Sequence, residues 1–132
     1  MKPTYGYCAV TADFFHIGHL HFLRSCKEYC ENLIVGVMAD ECVETYKGRK
    51  PFQKTWAREE IIKSIRFVHR TIIQTEFDFP HSIMRLKDFY QGDFIIMDSD
   101  ENAAKRRGSD IIIKGGIIRD FGISSTMLKE TL

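Results

Sequence analysis

The chain alternates unbroken runs of apolar residues with segments in which apolar residues repeat at helical spacing. The apolar runs predict five strands, over residues 5–10, 33–38, 71–74, 94–97 and 111–113. Helical spacing predicts intervening helices over residues 19–29, 55–68 and 80–90, and a last helix capped by Ser124 or Ser125. Strands without polar alternation are buried on both faces, and strands separated by helices form parallel sheets. We therefore predict an α/β fold with a doubly wound, five-stranded parallel sheet.

The carboxyl ends of these strands are the expected position of a ligand. Open parallel sheets of this Rossmann-like kind bind ligands there, at the point where the strand order reverses. The predicted site is therefore formed by residues 11–19, 97–100 and 114–125. Because the sequence shows no internal repeat and no linker, we expect a single domain over residues 1–132.

Composition narrows the classes of function. Lys and Arg number 19 and Asp and Glu 18. A general nucleic-acid binder would be strongly basic, so that class is excluded. We find neither an apolar stretch long enough to span a membrane nor a secretory signal, so we expect a cytoplasmic protein with no membrane partner. The four cysteines are then expected to be reduced, and their spacing does not predict a metal site.

The segment after the first predicted strand carries candidate phosphate chemistry. It reads Thr11-Ala-Asp13-Phe-Phe-His16-Ile-Gly18-His19. Gly18 lets a ligand approach the backbone closely, and the start of a helix offers free N–H groups to a phosphate. The two histidines are three residues apart, so they share one side of the first turn. Imidazole donors at this position suit the charge that builds up on an α-phosphoryl group.

Three further segments add cationic and hydroxyl groups. Lys47-Gly-Arg-Lys-Pro is a basic loop that follows the second strand and a short helix. Arg58 and Arg66 are eight residues apart, which places them on roughly one face of the predicted helix. Arg119 precedes the segment Gly122-Ile-Ser-Ser-Thr126. An arginine can fork onto phosphate oxygens, and hydroxyls and N–H groups at a helix start can hold a leaving pyrophosphate.

Together these motifs resemble the cytidylyltransferase family of the HxGH nucleotidyltransferase superfamily. His-Ile-Gly-His at residues 16–19 matches HxGH, and residues 119–126 resemble the family's RTEGIST(S/T) motif. Residues 58–68 are similar to its RxxxIxxxRYV pattern, and the motif order resembles that of glycerol-3-phosphate cytidylyltransferases. Val10 and Ala12 stand where the family usually has Gly and Phe.

The resemblance also implies roles for individual residues. The implied catalytic residues are His16, His19, Lys47 and Arg119. The implied nucleotide-binding residues are Thr11, Asp13, Gly18, Asp100, Gly122, Ile123, Ser124, Ser125 and Thr126. Arg58 and Arg66 would bind the phosphate of the acceptor. The resemblance further implies a homodimer. We expect Mg²⁺ to arrive with the triphosphate, and the spacing of His and Cys predicts no metal site on the protein itself.

The implied activity is transfer of CMP from CTP to a small phosphorylated alcohol, such as glycerol 3-phosphate, with release of pyrophosphate. Two alternatives stay open. The protein could be an adenylyltransferase that acts on a sugar phosphate, which a comparison of CTP with ATP would reveal. It could also be a non-catalytic nucleotide-binding module, in which case nucleotide would bind without release of pyrophosphate.

Overall fold

The computed structural model describes residues 2–76 and 81–113, except the side chains of residues 81–84 and 107. In chain order the elements are β1 (Tyr5–Val10), α1 (Ile17–Lys27), β2 (Asn32–Met38), α2 (Asp40–Lys47), α3 (Thr55–Lys63), β3 (Val68–Gln74), α4 (His81–Phe89), β4 (Phe94–Asp98), α5 (Glu101–Arg107) and β5 (Ile111–Ile112). The predicted final helix and the predicted helix start at Pro80 lie outside the described residues.

The sheet has the strand order β3-β2-β1-β4-β5, and all its strand pairs are parallel. The chain moves outward from β1 to β3 and then returns to the other side of β1 to add β4 and β5. The order therefore reverses between β1 and β4, so the crevice beyond the carboxyl ends of these two strands is the expected binding position. The predicted fold class is confirmed.

Both faces of the sheet are covered. On one face, Leu23 and Cys26 of α1 and Ile62 of α3 pack against Cys8 and Val35. On the other face, Leu86 of α4 packs against Tyr7, Ile34 and Ile96. Neighbouring residues of one strand thus enter opposite cores, which explains why the strands read as continuous apolar runs. No helix in the described ranges is long and apolar enough to cross a membrane.

The largest difference from the predicted boundaries lies between α3 and β3. The helix predicted over 55–68 ends at Lys63, and its C-cap is Ser64. Val68 already begins β3, because the segment from there to Gln74 contains four β-branched residues, which favour strands. Helix α5 was not predicted. It has seven residues between the Asp100 N-cap and Gly108, which takes the left-handed conformation common after helices.

Candidate functional site

Helix α1 begins with a cap formed by two histidines. The backbone N–H of Gly18 donates to His16 Nδ1 at 3.0 Å, and the backbone N–H of His16 donates to His19 Nδ1 at 3.1 Å. This reciprocal pair is a capping box in which imidazole nitrogens replace the usual side-chain oxygens. The two ring centroids are 4.0 Å apart. The structure thus brings His16, Gly18 and His19 together as predicted, and it shows that the two rings also hold the helix start in place.

The hydrogen bonds determine where each imidazole carries its proton. Because Nδ1 of both rings accepts a backbone N–H, the neutral rings carry hydrogen on Nε2 and can donate there. Burial lowers the pKa of His16. Burial also lowers the pKa of His19 to about 4, helped by the charges of His16 and Lys47 and opposed by Asp13. Near neutral pH both rings are therefore uncharged donors, which suits contact with phosphate oxygens.

We expect His19 to titrate with a pKa of about 4 in the nucleotide-free protein, below its ordinary value of 6.5. Protonation would place hydrogen on Nδ1 and break the cap bond to His16. The unfolded chain takes up this proton at higher pH than the folded chain. The stabilisation from neutral His19 is therefore complete above pH 6.5 and is lost as the pH falls towards 4. Two-dimensional ¹H–¹⁵N spectra of the rings measure both pKa and tautomer. A pKa at or above 6.5, or hydrogen on Nδ1 near neutral pH, would contradict this assignment.

Asp13 holds the loop between β1 and α1. Its carboxylate is buried, and its two oxygens accept the backbone N–H groups of Phe52 and Gln53, each at 2.9 Å. The flanking residues Ala12 and Phe14 both have φ of 54°, in the left-handed region that side chains disfavour. Asp13 therefore positions the loop that leads to the histidines.

Lys47 and Thr11 add a positive charge and a hydroxyl group to the site. Lys47 is the last residue of α2, is exposed, and lies close enough to His19 to lower the pKa of that ring. Its Nζ is 5.7 Å from the centroid of the Tyr46 ring, and the Tyr46 hydroxyl lies 2.7 Å from Thr11 Oγ1. Both predicted residues thus lie with the histidines beyond the carboxyl end of β1. Sequence reasoning missed Tyr46, which is the penultimate residue of a short helix and carries no distinctive signal.

Asp100 lies across the switch point from the histidines. It follows β4 and is the exposed N-cap of α5, where its Oδ1 accepts the backbone N–H of Asn102 at 3.1 Å. β4 pairs with β1, so Asp100 is at the same edge of the sheet as the histidine loop. This position is compatible with the role predicted for it towards the nucleotide.

The structure does not support the predicted role of Arg58 in binding the acceptor phosphate. Its side chain is completely buried, and each of its five N–H groups already has a partner. These bonds reach Gln53 O at 2.9 Å, Thr11 O at 2.9 Å, Met38 O at 2.8 Å, Asp40 Oδ1 at 2.7 Å and Thr55 Oγ1 at 3.3 Å. Arg58 therefore joins the ends of β1 and β2 to the starts of α2 and α3, and it supports the site from behind.

Arg66 is placed at the opposite end of the sheet. It lies just before Val68, where β3 begins, and it lines a cleft of about 390 Å³ with Lys2, Arg24 and Lys27. Leu20, which directly follows His19 in α1, lines the same cleft. The predicted role of Arg66 towards the acceptor phosphate stays a prediction.

A comparison with known protein families shows the family to which the chain belongs. The profile of the family described as cytidylyltransferase-like matches residues 7–131. The chain belongs to this family. The predicted resemblance to the nucleotidyltransferase superfamily is thus confirmed. A structure of the lipopolysaccharide core biosynthesis protein from Thermoplasma volcanium superposes with a TM-score of 0.68 at 21% identity, covering 85% of this chain and 97% of that one. At this identity the likeness concerns the fold alone.

Relatives of the cytidylyltransferase-like chain include several named enzymes. FAD synthase of Thermococcus sibiricus is 39% identical over 61 residues, which is 46% of this chain and 41% of the relative. Ethanolamine-phosphate cytidylyltransferase of Arabidopsis thaliana is 31% identical over 133 residues, covering 95% of this chain and 31% of the relative. The bifunctional protein HldE of Nitratiruptor sp. is 30% identical over 123 residues, covering 91% and 26%. The matches thus span less than half the length of each of these relatives.

Several predictions about this family member stay untested. The predicted residues Arg119, Gly122, Ile123, Ser124, Ser125 and Thr126 lie outside the described residues. The expected homodimer and the expected cytoplasmic location also remain predictions. Within residues 2–76 and 81–113, no group of three or more His, Cys, Asp or Glu side chains could hold a metal ion.

Proposed function

We propose that the protein transfers a nucleoside monophosphate from a nucleoside triphosphate to the phosphate of a small acceptor and releases pyrophosphate. One observation carries this proposal: the reciprocal cap of His16 and His19 directs two neutral imidazoles to a helix start, beside the charge of Lys47. Nucleotidyl transfer needs such donors, because negative charge increases on the α-phosphoryl oxygens as the fifth oxygen approaches phosphorus.

In the proposed reaction, an acceptor phosphate oxygen attacks the α-phosphorus in line with the bond to the β-phosphate. The new P–O bond forms as that bond breaks, and its electron pair leaves on pyrophosphate. The acceptor oxygen is already an anion, so no general base is required. His16 and His19 would donate to the α-phosphoryl oxygens and Lys47 would add its positive charge. Positioning and charge stabilisation then supply the catalysis.

We further propose that Mg²⁺ enters with the triphosphate. Asp13 is the carboxylate nearest to the histidine cap along the chain, but both its oxygens accept backbone N–H groups. Mg²⁺ commonly keeps several waters and binds through substrate phosphates, so it fits a site without a protein cage. Arg119 and residues 122–126 are proposed, from their sequence motif, to bind the β- and γ-phosphates.

CTP and a small phosphorylated alcohol, such as glycerol 3-phosphate, are the first proposed substrate pair. This choice rests on the Arg119–Thr126 motif and on the match to ethanolamine-phosphate cytidylyltransferase, which covers 95% of this chain. Adenylyl transfer from ATP is a second candidate, because four archaeal FAD synthases are between 39% and 44% identical over 61 to 63 residues. FAD contains AMP joined to the phosphate of FMN, so FMN belongs among the acceptors to be tested.

Pyrophosphate release with Mg²⁺ tests the proposal directly. Each of CTP, ATP, GTP and UTP is paired with glycerol 3-phosphate, phosphocholine, phosphoethanolamine, a panel of sugar phosphates and FMN. Acceptor-dependent release with CTP supports the first candidate, and release with ATP alone supports the second. Binding of nucleotide by calorimetry, without release for any pair, would indicate a non-catalytic nucleotide-binding module and would overturn the proposed transfer.

A further inference from the structure

The loop that leads to the histidines is held in a conformation that its own residues disfavour. Ala12 and Phe14, on either side of Asp13, both have φ of 54°. Neither residue is a glycine, so each keeps a Cβ that crowds the backbone in this region. Such backbone persists only where neighbouring structure fixes it, and it concentrates at functional sites. His16 follows Phe14 by two residues, so whatever fixes Phe14 also sets the position of the histidine cap.

A reciprocal pair of side chains fixes this loop. The Asp13 carboxylate accepts the backbone N–H groups of Phe52 and Gln53, each at 2.9 Å. In return, Gln53 Oε1 accepts the backbone N–H of Phe14 at 2.7 Å. The rings of Phe14 and Phe52 lie alongside, with centroids 5.6 Å apart. We call these four residues, Asp13, Phe14, Phe52 and Gln53, the loop clamp.

The far side of the loop clamp is anchored to the sheet. The backbone carbonyl of Gln53 accepts Arg58 Nε at 2.9 Å. Nη1 of the same arginine donates to the carbonyls of Thr11, which directly follows β1, and Met38, the last residue of β2. Through Arg58, the clamp therefore attaches the strained loop to the ends of two strands. Gln53 also follows the basic loop that begins at Lys47, so the clamp ties one end of that loop to the loop that leads to the histidines.

We propose that Gln53 is a positioning residue for the triphosphate site, which it serves by holding Phe14 and hence the His16–His19 cap. This inference rests on the nucleotide site proposed above. A neutral amide suits the position, because the backbone N–H of Gln53 already lies 2.9 Å from the Asp13 carboxylate and a second carboxylate would repel it. Asparagine is one methylene shorter and would not span the distance to Phe14.

Gln53→Met tests the proposal, because it keeps the length of the side chain and removes the acceptor. Gln91→Met, at an exposed position before β4, is the matched control. We expect the Phe14 amide to lose its protection from hydrogen exchange in Gln53→Met, and the ring resonances of His16 and His19 to shift. Loss of one such hydrogen bond should weaken binding of Mg·CTP or Mg·ATP, measured by calorimetry, by about three- to tenfold. Turnover should fall by about tenfold through kcat, because the donors are misplaced.

Gln53→Glu restores an acceptor oxygen at the same reach, but it adds a negative charge near the Asp13 carboxylate. We therefore expect it to restore part of the Phe14 amide protection, so that protection falls in the order wild type, Gln53→Glu, Gln53→Met. The exchange and binding measurements need no acceptor substrate, so they test the clamp even if no turnover is found. Unchanged Phe14 protection, histidine resonances and triphosphate affinity in Gln53→Met would overturn the positioning role. The positioning role would also be wrong if Gln53→Met matched Gln91→Met in every measurement while the wild type was active. The proposed nucleotidyl transfer would not be affected by that result.

Discussion

We expect His19→Asn to lower turnover by about 10²–10³-fold while the protein stays folded. The asparagine Oδ1 can take the place of Nδ1 and accept the backbone N–H of His16, so the start of α1 keeps its cap. What the substitution removes is the Nε2–H donor, which we propose contacts the α-phosphoryl group. Initial rates of pyrophosphate release, with the substrate pair found by the nucleotide and acceptor panel, measure the loss.

Two companion variants show whether this loss arises at the phosphate. His69→Asn changes an exposed histidine on β3, away from the site, and should leave the rate unchanged. His19→Gln places an amide nitrogen near the position of Nε2 and should retain more activity than His19→Asn, at the expense of the cap. If His19→Asn keeps more than about a tenth of the wild-type rate, the assignment of His19 to transition-state stabilisation is wrong.

The strands were readable from the sequence, because they follow from short-range pattern. A strand that is buried on both faces must be apolar throughout, so β1 was predicted with its observed bounds, Tyr5–Val10. Helix α5 escaped notice because it is short and polar, and its only sequence signals are the Asp100 cap and Gly108. The end of α3 was misplaced because Ile65 and Val68 continue the helical spacing beyond the point where the backbone leaves the helix.

The candidate site was readable only in part. His16, Gly18 and His19 are neighbours along the chain, so their meeting at a helix start required no tertiary information. The environment of an arginine is different, because the same residue suits a phosphate, a solvent-exposed helix face or a buried network. Only the folded chain reveals that Arg58 meets strand ends 47 and 20 residues away, or that Gln53 reaches Phe14 from 39 residues away.

Arg58→Met should destabilise the protein by about 3–5 kcal/mol, the usual effect of removing one partner of a buried ion pair. The substitution leaves the Asp40 carboxylate, whose side chain is 16% exposed, without its cation. It also leaves the carbonyls of Thr11, Met38 and Gln53 without the donors that Arg58 supplied. Domains of this kind are stable by only about 5–15 kcal/mol, so the variant would lose much of its stability. Equilibrium urea unfolding gives the difference.

Arg66→Met is the matched control, since that exposed arginine has no buried network to lose, and its effect should stay within about 0.5 kcal/mol. Asp40→Asn is a milder variant that tests the same network if Arg58→Met does not fold. It keeps an oxygen for Nη2 and removes only the charge, so we expect a smaller loss of about 1–3 kcal/mol. Comparable effects of Arg58→Met and Arg66→Met would show that the Arg58 network does not stabilise the fold.

Acid should reduce the difference in free energy of unfolding between the wild type and Arg58→Met. Burial of Asp40 tends to raise its pKa, but the hydrogen bonds from Arg58 and Thr55 and the charge of Arg58 outweigh burial and lower the pKa below its usual 3.8. A carboxyl with a lowered folded-state pKa contributes stability above its unfolded-state pKa and loses it as the pH falls through the folded-state value. The ion pair therefore stabilises the protein fully near neutral pH and progressively less below pH 3.8. The hydrogen bonds from Arg58 to backbone carbonyls do not titrate, so the stability difference that persists in acid measures their contribution. A stability difference that is constant with pH would show that the charge of Asp40 contributes nothing.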